Sequence, residues 1–134
     1  MRFFFTTVVF FLFMHFISAQ SFQSFSPQPL IPRHHASTVN FVDVDNDQDM
    51  DLFVTGQAGE ARYARLYKNV GLGVFTEAEV KIGPPFEGVN FAAIAFADID
   101  GDGDQDLYFN GLVNDTEGIT KLYTNDGLGN FTEV

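Results

Sequence analysis

A run of eleven residues, Asp43-Val-Asp45-Asn-Asp47-Gln-Asp49-Met-Asp51-Leu52-Phe53, returns 55 positions later as Asp98-Ile-Asp100-Gly-Asp102-Gly-Asp104-Gln-Asp106-Leu107-Tyr108. A second pair follows at an offset of 56: Leu66-Tyr67-Lys-Asn69-Val-Gly71-Leu-Gly73-Val-Phe75-Thr76-Glu77 and Leu122-Tyr123-Thr-Asn125-Asp-Gly127-Leu-Gly129-Asn-Phe131-Thr132-Glu133. The offsets differ by one residue, an insertion in the intervening loop, where a tandem unit tolerates length change. Two copies of one supersecondary unit therefore make up most of this chain, and any fold assigned to it must repeat.

Each unit parses into four short strand signals. In the second copy they are Val89 to Ala97, Leu107 to Asn110, Thr120 to Asn125 and a strand starting at Phe131, with β-branched and aromatic runs separated by Gly, Asn or Asp. Four antiparallel strands make one sheet, so the fold class is all-β with two four-stranded sheets. The Asn-x-Gly-x-Gly-x-Phe segments read as hairpin connections, because Gly takes positive φ without penalty. A phosphate-cradling loop is excluded: no helix pattern follows either segment and no Lys stands where a P-loop needs one.

Five Asp at strict alternation between two strands place many like charges in one tight loop, and a cation is the natural compensation. Hard Ca²⁺ takes about six to eight oxygens, and a loop offering side chains at positions 1, 3 and 5, a carbonyl at 7 and a closing carboxylate at 9 wraps one ion. The candidate ligands of the second site are then Asp98, Asp100, Asp102, the carbonyl of Asp104, and Asp106, with Gly103 at the sharp turn. Those of the first are Asp43, Asp45, Asp47, the carbonyl of Asp49, and Asp51, with Gln48 where the glycine belongs. A left-handed Gln48 costs about 1 kcal/mol, so the first site is expected to be the weaker of two calcium sites. An EF-hand would need an acid at position 12, which is Val54 or Phe109 here, and helices on both sides. Mg²⁺ suits the loop less well because it keeps its waters. A glycosidase needs two acids facing each other across a cleft, not a chelating row. No cysteine is present, so no thiolate site or disulfide competes with the oxygen-ligand reading.

With these residues in view, the unit Phe96-Ala-Asp98-Ile-Asp-Gly-Asp-Gly-Asp-Gln-Asp106-Leu, followed by Leu-Tyr-x-Asn-x-Gly-x-Gly-x-Phe, resembles the FG-GAP/VCBS repeat, the blade unit also found in integrin alpha-chain propellers. The resemblance covers about Ser37 to Val134. It implies two four-stranded blades of an incomplete β-propeller, Ca²⁺ on the loop joining the first two strands of each, and an extracellular role in adhesion or binding. The expected organisation is a signal peptide at 1–19, a Pro/Ser/Gln-rich lead-in at 20–37, a first repeat at 38–82, a linker at 83–88 and a second, truncated repeat at 89–134.

The leader reading rests on Arg2 and the apolar run Phe3 to Ile17 ending in the small pair Ser18-Ala19; the run is shorter than the roughly 20 residues of a membrane span. A secreted or cell-surface location is expected, with no membrane span in the mature chain. A net charge of −11 and a pI near 4.3 argue against nucleic acid as partner. The expected partners are an extracellular protein or carbohydrate, contacted by loops such as Gly56 to Arg62 and Gly111 to Thr120. Because a propeller closes with roughly 4 to 8 blades, further blades of a longer chain or self-association of this one are also expected. No His, Ser and acid arrangement supports hydrolysis, since His15 lies in the leader and His34 and His35 in the lead-in, so the repeats are read as non-catalytic. The alternative is the N-terminal propeller of a larger secreted enzyme whose catalytic domain is not in this chain.

Overall fold

The computed structural model describes residues 35–78 and 86–134. The expected leader, nearly all of the lead-in, and the stretch 79–85 lie outside the described residues. Within them all regular structure is β. Blade I comprises β1 (His35–Val42), β2 (Asp51–Ala58), β3 (Ala61–Asn69) and β4 (Phe75–Glu77); blade II comprises β5 (Asn90–Ala97), β6 (Asp106–Leu112), β7 (Gly118–Asn125) and β8 (Phe131–Glu133). Each blade is one antiparallel meander with its strands side by side in chain order. The architecture is the two-blade arrangement expected of propeller repeats.

The repetition extends to irregularities that the sequence does not announce. The pairing of β1 with β2 slips between His35 and Thr38, and that of β5 with β6 slips between Asn90 and Ala93. At these bulges Ala36 and Phe91, 55 positions apart, hold φ values of 51° and 50°. His35, expected in the lead-in, is instead the first residue of β1 and pairs with Gln57. The first blade thus begins three residues before the expected start at 38.

The hairpin glycines do as expected: Gly71, Gly73, Gly127 and Gly129 all have positive φ. Two of the expected binding loops are shorter than expected. Gln57 pairs with Arg62 and Ala58 with Ala61, so Gly56 to Arg62 is mostly strand, closed by a two-residue turn at Gly59 and Glu60. Likewise Gly111 and Leu112 belong to β6 and Gly118 to Thr120 to β7, leaving only 113–117 as a loop.

The blades meet through opposite faces. Blade I contributes Val42, Val44, Phe53 and Leu66, while blade II contributes Leu107, Phe109, Tyr123 and Phe131, with Phe86 and Val89 joining from the segment that leads into β5. Phe53 is fully buried, and its ring stands edge-on to Phe86 at 5.1 Å and to Phe96 at 5.9 Å, and 6.0 Å from Phe109. Such tilted and edge-on aromatic pairs are favoured by the ring quadrupole. Phe86 also meets Tyr123 and Phe131 at 5.3 and 5.6 Å. A residue expected in a linker is therefore at the centre of the core. The other face of blade I holds a smaller cluster of Leu52, Val54 and Tyr67 with Phe75.

Polar bonds fix how the blades sit together. Thr38 Oγ1 donates to the Ala92 carbonyl at 2.8 Å, Gly56 N to the Val89 carbonyl at 3.0 Å, and Asn125 Nδ2 to the Val44 carbonyl at 2.8 Å. The last bond is buried and spans 81 residues of sequence. Leaving such groups unpaired in the interior would cost their desolvation, so these bonds specify one docking geometry.

Candidate metal centre

Each acidic row occupies the loop between the first two strands of its blade, Asp43 to Met50 between β1 and β2 and Asp98 to Gln105 between β5 and β6. The loops coil because their first carboxylate gathers amides. Asp43 accepts from Asp47 N at 3.2 Å and Gln48 N at 2.9 Å; Asp98 accepts from Gly101 N at 2.7 Å and Gly103 N at 3.1 Å. The third carboxylate of each row then closes a two-residue turn, Asp47 on Asp49 N at 2.8 Å and Asp102 on Asp104 N at 2.9 Å.

This coil requires two left-handed residues per loop. In blade II both are glycine, Gly101 at φ 86° and Gly103 at φ 98°; in blade I they are Asn46 at 60° and Gln48 at 74°. Asn visits this region readily, but Gln does not. The strained sixth position was legible in the sequence, whereas the fourth was not.

The closing carboxylates differ from the rest. Asp51 and Asp106 are the first residues of β2 and β6 and are buried. Asp51 accepts from Val44 N at 3.0 Å and Asn69 N at 2.8 Å, and Asp106 accepts from Ile99 N at 2.9 Å and Asn125 N at 2.8 Å. Each therefore ties its own acidic loop to the end of the third strand of its blade. The sequence reading gave these two residues only a ligand role and missed the tie. The tie ends on the backbone amides of Asn69 and Asn125, which almost any residue type would offer, so no side-chain pattern announces it.

Among the described residues, two groups bring one carboxylate oxygen each to within 4.8 Å of one another: Asp43, Asp45 and Asp47 in blade I, and Asp98, Asp100 and Asp106 in blade II. That spacing suits oxygens sharing one ion with metal–oxygen distances of about 2.3–2.6 Å. Asp51 in the first loop and Asp102 in the second lie outside these groupings. The side chains of Asp49 and Asp104 also lie outside them, and Asp104 accepts instead from Asn46 Nδ2 of the neighbouring blade at 2.7 Å. Asp45 Oδ1 is buried and no hydrogen-bond donor among the described residues reaches it. A hard cation would satisfy that oxygen, and the all-carboxylate donor set fits one.

The two centres differ in one charged neighbour. Lys68 Nζ donates to Asp45 Oδ2 at 2.9 Å and to the Leu128 carbonyl of blade II at 2.5 Å. Its counterpart in the second repeat is Thr124, which carries no charge. An ammonium beside one of the three grouped carboxylates competes with a metal ion for the same oxygen. This adds a second reason, besides Gln48, for the first site to be weaker.

Burial raises the Asp51 carboxyl above its ordinary 3.8, partly offset by the Val44 and Asn69 amides, and Asp45 and Asp47 raise it further. Desolvation chiefly raises Asp100, helped by the neighbouring charges of Asp102 and Asp106. Asp126 is lowered, mainly by the Asn130 side chain. For the raised pair the folded chain holds more protons than the unfolded one from pH 3.8 upward to their raised values, so stability falls as pH rises through that window. Asp126 acts below 3.8, where its contribution is lost as pH falls. In chelator, the urea midpoint is therefore expected to rise on acidification from neutrality toward pH 4. With calcium present it is expected to fall, because metal binding needs the ionised carboxylates. Midpoints measured across that range under both conditions check the reversal.

Comparison with known proteins agrees with the geometry. A family model described as FG-GAP-like repeat matches residues 43–109, half of the chain. No curated protein and no solved structure shows a significant match. The match starts at the first Asp of the first loop and ends three residues beyond Asp106, so it spans both acidic loops and the blade contact between them. With two structurally repeated blades, each carrying its acidic row between its first two strands, the chain belongs to the FG-GAP-like repeat family.

Proposed function

We propose that this protein is a secreted or cell-surface calcium-binding repeat module that serves adhesion or the binding of protein or carbohydrate, without catalysis of its own. The observation that carries the calcium reading is the recurrence, at equivalent places in two blades, of three carboxylate oxygens within 4.8 Å of each other. Two members of each group stand at equivalent repeat positions, Asp43 and Asp45 against Asp98 and Asp100, while the third is Asp47 in one loop and Asp106 in the other. The ions would neutralise charge in the loops and hold the coils fixed, leaving the blade surfaces to make the contacts with a partner. One such surface is a cleft of about 530 Å³ between the blades, lined by Asn40, Phe41, Asp43, Asn46 and Met50 of blade I and by Phe96 and Gln105 of blade II. It mixes apolar and amide side chains beside the first acidic loop. The runner-up, a non-catalytic propeller serving a larger secreted enzyme, has the same calcium chemistry.

Calcium titration calorimetry tests the reading. The expected result is two binding events of unequal affinity, with magnesium weaker at both. Asp47→Ala should remove the weaker event and Asp100→Ala the tighter one, and Lys68→Thr should tighten the weaker one several-fold. Absence of heat in the wild-type chain would overturn the calcium assignment.

A further inference from the structure

The two acidic loops are joined by hydrogen bonds that run from one to the other. Asp51, which closes the first loop, accepts from Val44 N at 3.0 Å; the Val44 carbonyl accepts from Asn125 Nδ2 at 2.8 Å; and Asn125 N donates at 2.8 Å to Asp106, which closes the second loop. All four residues of this path are buried. An exposed link lies beside it. Asn46 Nδ2 of the first loop donates to Asp104 Oδ1 of the second at 2.7 Å, and Asp104 is backed by Gly127, where a Cβ would stand 2.5 Å from the other carboxylate oxygen. The repeat itself demands neither bond. Asn69, the blade I counterpart of Asn125, donates from its side chain to the Met50 carbonyl of its own blade at 3.3 Å, and the counterpart of Asn46 is Gly101, which has no side chain to reach with.

We propose that the two acidic loops bind calcium cooperatively, filling of either one raising the affinity of the other about five-fold or more. This rests on the calcium reading of the loops and adds to it that they act as a pair. Asp106 belongs to the grouped carboxylates of blade II, and Val44 stands between Asp43 and Asp45 of the group in blade I. Fixing the Asp106 carboxylate fixes the Asn125 amide bonded to it, and through the Asn125 side chain it fixes the backbone from which Asp43 and Asp45 project. Asn46, between Asp45 and Asp47, is constrained in the same sense by Asp104. Order imposed at one loop need not be imposed again at the other, and that is positive coupling. Repulsion between two cations opposes it, but repulsion is screened by salt whereas a buried chain of hydrogen bonds is not. The coupling is therefore expected to persist or grow as salt is raised.

Calcium calorimetry on variants with one loop disabled tests it. Asp100→Ala, which removes the second site, is expected to weaken the first about five-fold or more relative to the wild-type chain, and Asp47→Ala to weaken the second by the same factor, because coupling is reciprocal. The factor is then measured again after cutting the links. Asn46→Gly keeps the left-handed turn, as Gly101 does in blade II, and should shrink the factor; Asn125→Ala should shrink it further, and the two together should bring it to one. Far-UV circular dichroism establishes that the variants are folded, and the exposed Asn46→Gly decides the matter by itself where Asn125→Ala does not fold. Equal affinities with and without the other loop, a factor below one, or a factor untouched in folded Asn46→Gly would each overturn the coupling and leave the calcium assignment standing. Absence of binding in the wild-type chain would overturn both.

Discussion

Asp106→Ala is expected to destabilise the chain by about 1–3 kcal/mol, since the buried Asn125 amide loses its acceptor, while the partly buried Ile99 amide can turn to water. Asp106 is 1% exposed and holds Ile99 N and Asn125 N with its two oxygens. Asn125 in turn donates to the Val44 carbonyl, so losing its anchor also loosens the joint between blades. Single domains are stable by only about 5–15 kcal/mol, so the loss is a substantial fraction of the total. The loss should appear in chelator as well as in calcium, because the Asn125 amide needs an acceptor whether or not an ion is bound. Asp100→Ala is the control: Asp100 is exposed and accepts one long bond from Asp102 N at 3.2 Å, so its removal should leave the metal-free urea midpoint nearly unchanged. Equal midpoints for the two variants in chelator would show that Asp106 acts only as a ligand.

Phe53→Ala is expected to cost about 3–5 kcal/mol, the range for emptying a buried phenylalanine site. The cavity would open among Phe86, Phe96 and Phe109, which belong to blade II or to the segment leading into it. The effect should therefore reach both blades, lowering the midpoint reported by Tyr67 in blade I and by Tyr123 in blade II together. Leu72, 89% exposed in a hairpin, gives the contrast, because Leu72→Ala removes almost no buried surface. Separate transitions for the two tyrosines, with only one shifted, would show that the blades unfold independently.

Much of this organisation is legible in the sequence because each element has local causes. Strict alternation of Asp marks the two loops, positive-φ glycines mark the hairpins, and the repeat offset carries every assignment from one copy to the other. What the sequence hides is set by contacts distant along the chain. Phe86 follows a Gly-Pro-Pro run that reads as a linker, yet it fills the aromatic core, because only the packed blades create the space for its ring. The dual bond of Asp51 and Asp106 is invisible in a row of five identical acids. Burial distinguishes the fifth, and burial is decided by the strand that follows. Lys68 reads as an ordinary polar residue at the end of β3 until the fold places it against Asp45 and the neighbouring hairpin.

The unequal burial of Val44 and Ile99 has a kinetic consequence. The two residues head chemically similar loops, and their amides donate to equivalent carboxylates at 3.0 and 2.9 Å. The Val44 side chain is clamped between sheets and its carbonyl is held by Asn125, while the Ile99 side chain faces solvent. Amide hydrogens exchange with solvent through whatever opening costs least. The Ile99 amide needs only its own loop to lift, whereas the Val44 amide must wait for the sheets to part. Two nearly identical stretches of sequence therefore report two different motions, one local and one of the whole pair.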